Sequence, residues 1–192
     1  MTNKPLQNLT GTYTLTQLRN DGLPSTSVRR AVLRGELVRV SRGIYQSPNS
    51  ADDEMNNAQL RYRQIIYSHD TALYLHELND RDPLKYSVTV PTGYNTKHLV
   101  SEGFKVFSLK REFYEQDIVE ICTMFGNIVK AYGLERTICD CLRSRNRLQS
   151  DIVLTGLKRY VRRDDRNLSL LMTTAEKLRV STLLKTYLEV LL

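Results

Sequence analysis

Long apolar runs are missing from the 192-residue sequence. No stretch approaches the roughly 18 to 20 consecutive apolar residues that a membrane-spanning helix needs. The N-terminal MTNKPLQNLTGTYT also lacks the apolar centre of a signal peptide. We therefore expect a protein that remains in the cytoplasm and has no membrane partner.

Cysteine is scarce too, with only Cys122, Cys139 and Cys141 in the chain. An odd, small number in a chain of this length fits free thiols in a reducing compartment better than a disulfide framework. Cys139 and Cys141 flank Asp140, but no second pair completes a zinc site. We expect neither a metal nor a cofactor.

Sequence motifs of catalysis and nucleotide binding are absent as well. The three histidines, His69, His76 and His98, include neither an HExxH motif nor a pair spaced by four residues, and no GxxxxGK[ST] or GxGxxG occurs. His69 is expected to satisfy local backbone groups, and the consecutive acids at 52–54 suit a helix start better than paired catalysis. The sequence thus favours a protein that is not an enzyme.

Acidic residues are few in the first quarter of the chain. Residues 1–50 contain seven lysines and arginines but only Asp21 and Glu36, which places five of the seven net positive charges there. A local basic excess is typical of surfaces that bind polyanions such as nucleic acid.

The basic quarter has the pattern of a winged helix-turn-helix. Leu15 and Leu18 indicate a short helix, DGLP breaks it, and Ser25 is a natural N-cap for a second helix. In the following LVRVSRGIYQ, apolar and polar residues alternate as in β-strands, and SRG is the turn between them. This pattern predicts a small basic hairpin, the wing. In this fold the second helix normally enters the major groove of DNA.

The second helix is predicted to be amphipathic. Val28 and Ala31 lie on its apolar side, whereas Ser27, Arg30 and Arg34 cluster within about 60° on the other side. Basic side chains there would neutralise phosphates or bind guanine, and hydroxyl groups at the helix start would donate to phosphate oxygens. The residues predicted to contact DNA are Ser25, Thr26, Ser27, Arg29, Arg30, Arg34, Arg39 and Arg42. Among them, Arg29 is expected to contact the DNA backbone or to form a salt bridge.

After residue 50 the pattern changes. Residues 52–66 and 70–78 predict two helices, and KYSVTVPTGY, FKVFSL and a hairpin at 125–127 predict a small, mostly antiparallel sheet. The remaining segments have helical apolar spacing. The predicted fold class is α+β, with a winged helix-turn-helix domain at 1–50 and a C-terminal α+β domain at 51–192.

Positive charge also recurs in the C-terminal part. Arg136 and Asp140 are four residues apart, where a stabilising helical pair is expected. A possible second basic surface could touch DNA or RNA, or could simply be solvated. It comprises Arg143, Arg145, Arg147, Lys158, Arg159, Arg162 and Arg163.

Several stretches together resemble the AbiEi family, the antitoxins of the AbiE abortive-infection systems. They are TLTQLRNDGLPSTSVRRAVLRGELVRVSRGIY, YSHDTALYLHELNDRDP, YSVTVPTGYN, YGLERTICDCLRSR and YLEVLL, which follow the family's order over nearly the whole chain. The resemblance implies a winged-helix domain that represses its own operon by binding inverted repeats in the promoter. It also implies a C-terminal domain needed for antitoxicity.

The same resemblance implies a type IV toxin-antitoxin system that provides resistance to phage. The toxin would be a nucleotidyltransferase from the neighbouring gene, neutralised without a stable complex. The family pattern places DNA recognition on Thr26, Ser27, Arg30 and Arg34 in the helix and on Arg39 and Arg42 in the wing. It transfers no catalytic residue to this chain.

Two other functions stay open at this point. One is a ligand-sensing winged-helix regulator with a small-molecule pocket in the second domain. The other is an enzyme that acts on nucleic acid or on the toxin and is targeted by the winged helix.

Overall fold

The computed structural model describes residues 11–191, apart from the side chains of Ser150 and Val190. The chain divides into two compact units. Unit 1 contains the described residues up to Arg63 together with Cys122–Val129, and unit 2 contains Gln64–Ile121 and the described residues from Lys130 onward. Both units combine helices with strands, which confirms the predicted α+β class.

Unit 1 has two helices joined by a tight turn and followed by a hairpin, in the predicted order. Its three-stranded sheet has the order β1-β3-β2, and both ladders are antiparallel. Its elements are β1 (Thr12–Thr14), α1 (Leu15–Asn20), α2 (Ser25–Leu33), β2 (Val38–Ser41), β3 (Ile44–Gln46) and α3 (Glu54–Arg61).

The turn between α1 and α2 is determined by local hydrogen bonds. Gly22 adopts a φ of 88°, a left-handed conformation that favours glycine, and the Leu23 amide then donates to the Leu18 carbonyl at 2.8 Å. Both leucines are buried in the core of unit 1. The N-cap of α2 is Pro24 rather than the predicted Ser25, because Pro24 has the extended backbone conformation of a cap and Ser25 is already helical.

The third helix of unit 1 explains why the compact unit extends beyond residue 50. The Asp53 side chain caps α3 by accepting from the Asn56 amide at 3.0 Å. The same carboxylate accepts from Thr123 Oγ1 at 2.5 Å and from Asn127 Nδ2 at 2.8 Å. The helix ends at Arg61, not at the predicted residue 66, and it packs against β1 and β3.

Unit 2 contributes most of a five-stranded sheet with the order β6-β5-β4-β8-β7. Its strands are β4 (Ile66–Tyr67), β5 (Ser87–Pro91), β6 (Lys105–Leu109), β7 (Ile118–Cys122) and β8 (Ile128–Tyr132). The sheet is mixed rather than mostly antiparallel as predicted, because the β4–β5 ladder is antiparallel whereas the β5–β6 and β4–β8 ladders are parallel. A helix connects β5 to β6, and such crossovers are what parallel neighbours require. The predicted hairpin turn at 125–127 does join β7 to β8.

Helices surround the second core. They are α4 (His69–Leu75), α5 (Lys97–Ser101), α6 (Arg111–Tyr114), α7 (Leu134–Arg143), α8 (Ser150–Tyr160), α9 (Leu168–Lys177) and α10 (Ser181–Leu191). Helix α4 begins one residue before the predicted range 70–78 and ends three residues before its end. The core lies where α7 packs against α4, α8, α9 and α10, and it includes Leu73, Ile138, Leu142 and Leu157.

Candidate nucleic-acid interface

The exposed side of α2 presents most of the residues predicted to contact DNA. Val28 and Ala31 are buried in the core of unit 1. Thr26, Arg29 and Arg30, on the other side of the helix, are exposed to solvent. Arg29 and Arg30 form no ion pair with any residue in the range 11–191, so the alternative of a salt bridge for Arg29 is not observed there. Both guanidinium groups are exposed and unpaired within that range.

Ser25 and Ser27 lie at the start of the same helix. Ser25 is exposed and Ser27 is half-buried. Side-chain hydroxyls and free amides at a helix N-terminus are the groups that commonly contact DNA phosphates. Both serines lie where the sequence predicts contacts with DNA phosphates.

Arg34 differs from the other arginines of α2. Its Nε lies 2.9 Å from Glu36 Oε1, and Nη2 donates to Glu36 Oε2 at 3.0 Å. Both side chains are exposed, so the pair is screened by solvent and contributes little stability. A phosphate or guanine would have to compete with Glu36 for this guanidinium.

The wing presents two arginines from different positions. Arg39 lies opposite Tyr45 in the β2–β3 ladder, and its Nε donates to the Ser41 carbonyl at 3.4 Å. Arg42 is exposed at the tip, where Gly43 adopts a φ of 77° to turn the chain. Both positive charges therefore lie on the solvent side of the hairpin.

Sequence reasoning missed Leu33, which is 79% exposed near the end of α2. It follows Arg30 by three residues and so lies on the same side of the helix. Exposed apolar side chains beside basic ones suit contact with the methyl group of thymine. The helical spacing from Arg30 could have identified it.

The predicted second basic surface separates into paired and unpaired residues. Arg159 contacts both carboxylate oxygens of Asp80, and Arg163 pairs with Asp165 at 2.7 Å. Two of the seven cations of the predicted surface are therefore already paired with carboxylates. Arg162 and Lys158 are exposed and form no ion pair with the described part of the chain.

The remaining three arginines lie at the end of α7 and in the 3-10 turn Arg145–Arg147. Arg143 is exposed, and Arg145 Nη1 donates to the Leu142 carbonyl at 3.4 Å. Arg147 Nη2 donates to the Val106 carbonyl at 3.0 Å. None of the three forms an ion pair with a residue that the structure describes.

A buried histidine lies beside this arginine turn. The His69 ring stacks on Phe107, with centroids 3.5 Å apart and planes 14° apart. Its ring nitrogens lie 2.9 Å from Ser68 Oγ and 3.0 Å from Ser144 Oγ, so the expectation that it satisfies local backbone groups is wrong. Burial lowers the pKa of His69 well below its usual value, and the positive charge of Arg147 lowers it further. The imidazole is neutral at pH 7.

Unit 2 also contains a cavity of about 440 Å³. It is lined in part by His76, Glu120, Glu135 and Leu170. His76 Nε2 hydrogen-bonds the Tyr132 carbonyl at 2.7 Å. Burial lowers the pKa of His76. This volume is in the range of small-molecule sites.

Residues 11–191 contain neither a candidate metal site nor a candidate membrane span. No group of three or more His, Cys, Asp or Glu there could hold a metal ion. No helix within that range is long and apolar enough to cross a membrane.

The comparison with known families concerns the helices and wing of unit 1. Residues 11–48 match the family described as a transcriptional regulator, AbiEi antitoxin. This match confirms the AbiEi resemblance over residues 11–48. AbiEi antitoxins are regulators by that description, and the match covers α1, α2 and both strands of the wing.

A solved structure is similar over more of the chain. It is described as the crystal structure of the RV2827C protein from Mycobacterium tuberculosis, and the similarity has a TM-score of 0.58 at 11% sequence identity. It covers 89% of this chain and 68% of the other. Identity this low shows a shared fold alone. No curated protein sequence matches the chain.

Proposed function

We propose that the protein is an AbiEi-type antitoxin that represses its own operon by binding inverted repeats in its promoter. The observation that supports this best is the solvent side of α2, where Arg29 and Arg30 are exposed beside the basic wing. The match of residues 11–48 to a regulator family supports it independently. A repressor of this kind acts in the cytoplasm, and two inverted repeats would take two copies of the chain.

The proposed contacts divide into two kinds. Arg30 and Leu33 contact base edges, whereas Arg39 and Arg42 contact phosphates beside the groove. Ser25, Thr26, Ser27 and Arg29 contribute further contacts to the phosphate backbone at the start of α2. Arg34 joins them once it leaves Glu36.

Operator affinity of single variants tests this assignment. Arg30→Ala should weaken binding to a duplex of the chain's own promoter about 5- to 150-fold, the range for one good contact to a base. Arg19→Ala is the matched control, because it removes one exposed positive charge from α1. Fluorescence anisotropy gives both affinities. Equal affinities of the two variants would contradict the assignment of α2 as the helix that contacts the operator bases.

The second part of the proposal is that the protein neutralises a nucleotidyltransferase toxin through its C-terminal part without forming a stable complex. The AbiEi resemblance supports this part. Full-length Arg30→Ala should still protect cells that express the toxin of the neighbouring gene. Toxin and antitoxin should not co-purify. Loss of protection in this variant, or tight co-purification, would overturn this part alone.

A ligand-sensing regulator is the second candidate, because unit 2 contains the cavity beside His76 and Glu135. A ligand in that cavity would stabilise the protein and raise its melting temperature. A thermal-shift screen of cellular metabolites, followed by operator binding with any hit, tests this candidate. A hit that changes operator affinity would favour it over the antitoxin.

A further inference from the structure

We propose that Ser144, Arg143, Arg147 and Lys105 bind a phosphate group in unit 2. The phosphate monoester of a free nucleotide and the phosphodiester of RNA or DNA share this chemistry. The proposal goes beyond operator binding and does not depend on it, since none of these residues belongs to unit 1.

Phe107 brings the members of the site together. The His69 ring stacks on it, and the Cζ atom of Arg147 lies 4.1 Å from the centroid of the Phe107 ring. His69 in turn contacts Ser144. One guanidinium nitrogen of Arg147 is used by the Val106 carbonyl, and other N–H donors of the group stay available.

The His69 ring holds the Ser144 hydroxyl in place. Its Nδ1 lies 2.9 Å from Ser68 Oγ and its Nε2 lies 3.0 Å from Ser144 Oγ, and the Thr89 hydroxyl donates to Ser68 Oγ at 2.8 Å. In the tautomer that carries its proton on Nε2, the ring donates to Ser144 Oγ, and the Ser144 proton is left for a ligand. His69 is therefore a positioning residue for the Ser144 hydroxyl.

Three cations come from the segments that meet at Phe107 and Ser144. Arg147 lies over the Phe107 ring, Lys105 is on the same strand as Phe107, and Arg143 directly precedes Ser144 in the chain. Lys105 is 3.4 Å from Asp70, whose side chain is almost buried, while the Lys105 side chain keeps a third of its surface exposed. A phosphate would thus meet a hydroxyl donor and several positive charges, the combination that binds phosphate oxygens most strongly.

Full-length protein carrying Arg30→Ala and Arg34→Ala is the background for the test, because it lacks two of the proposed operator contacts and so weakens DNA binding by unit 1. The probes are AMP, ATP, a single-stranded RNA oligonucleotide and a DNA duplex of unrelated sequence, with adenosine as the phosphate-free control. Binding is measured at low ionic strength by isothermal titration calorimetry or anisotropy.

Four substitutions in this background address the site, and a fifth is the control. Arg143→Ala, Arg147→Ala and Ser144→Ala should each weaken binding of the phosphate-bearing probe about tenfold. Ser144→Thr should keep affinity, because it retains the hydroxyl. Arg159→Ala is the matched control, since its guanidinium is already held by Asp80.

The outcomes separate the possible sources of the phosphate. Binding of AMP or ATP but not adenosine supports a nucleotide site, and binding of RNA or DNA alone supports a backbone site. The proposal is overturned if no probe binds, or if Arg147→Ala and Arg159→Ala have equal effects. None of these results changes the operator affinity on which the proposed repression rests.

Discussion

Arg34 and Glu36, two residues apart at the end of α2, form an ion pair with an Nε–Oε1 distance of 2.9 Å. Glu36→Gln should increase operator affinity about two- to fivefold, because it releases Arg34 and removes a charge that repels phosphates. Asp21→Asn, which removes an exposed acid next to α1, is the control. Anisotropy titrations with the promoter duplex measure both. An unchanged or lower affinity of Glu36→Gln would show that Arg34 is not a DNA contact.

The Arg136–Asp140 pair in α7, predicted from its spacing, is present at 2.9 Å and buried, with 2% and 4% of the side chains exposed. Arg136→Ala should lower the free energy of unfolding by about 3 to 5 kcal/mol, because it leaves Asp140 buried and unpaired. Arg111→Ala breaks a pair with Glu115 of the same spacing that lies on the surface, and it should cost less than about 1 kcal/mol. Urea unfolding followed by circular dichroism measures both. Similar losses of unfolding free energy in the two variants would contradict the prediction that burial makes the Arg136–Asp140 pair costly to break.

Stability should fall as the pH decreases below neutrality. Because burial lowers the pKa of His69 in the folded state, the unfolded chain binds the proton more readily. Stability is therefore present above the unfolded pKa of about 6.5 and is lost as the pH falls below it, by at most about 1.4 kcal/mol per pH unit for each proton. Melting temperatures between neutral and mildly acidic pH should decline less steeply in His69→Gln.

His76 contributes in the same direction, since burial lowers its pKa as well. A residual slope in His69→Gln is expected for that reason. His98→Gln, which replaces a histidine at an exposed position, is the control for the substitution. Equal slopes in His69→Gln and the wild type would contradict the prediction.

Asp53 should be important for the stability of unit 1. Its carboxylate caps α3 and also accepts from Thr123 and Asn127. Asp53→Ala should reduce the free energy of unfolding by about 2 to 3 kcal/mol, because a cap is lost and buried donors stay unsatisfied. Glu54→Ala, which removes an exposed acid from the first turn of the same helix, should have a smaller effect. Chemical denaturation compares the two, and equal losses would show that the buried contacts contribute little.

Local patterns predicted local structure well in this protein. The spacing of Val28 and Ala31 identified the buried side of α2, and Gly22 marked the turn before it. The three-residue strand β1 was not predicted, because it is too short to show alternation and it pairs with β3 from far along the chain. The parallel pairing in the second sheet was missed for the same reason. Tyr67 pairs with Ala131, far along the chain, and the sequence around either residue does not indicate its partner strand.

Long-range contacts also limited what could be predicted about the candidate sites. Arg159 counted as a free cation until the fold placed it against Asp80, 79 residues away. His69 resembled an isolated histidine because its partner Ser144 lies 75 residues away. Charge counting therefore identified the basic segments, while the pairing of individual arginines required the folded chain.

The first unit is built from two separate stretches of the sequence, up to Arg63 and from Cys122 to Val129. A transplant of the leading segment alone into another regulator would leave Asp53 without Thr123 and Asn127. A chimaera that exchanges DNA specificity should therefore carry the distant hairpin tip as well. In this protein, recombination at one crossover point would not transfer unit 1 intact.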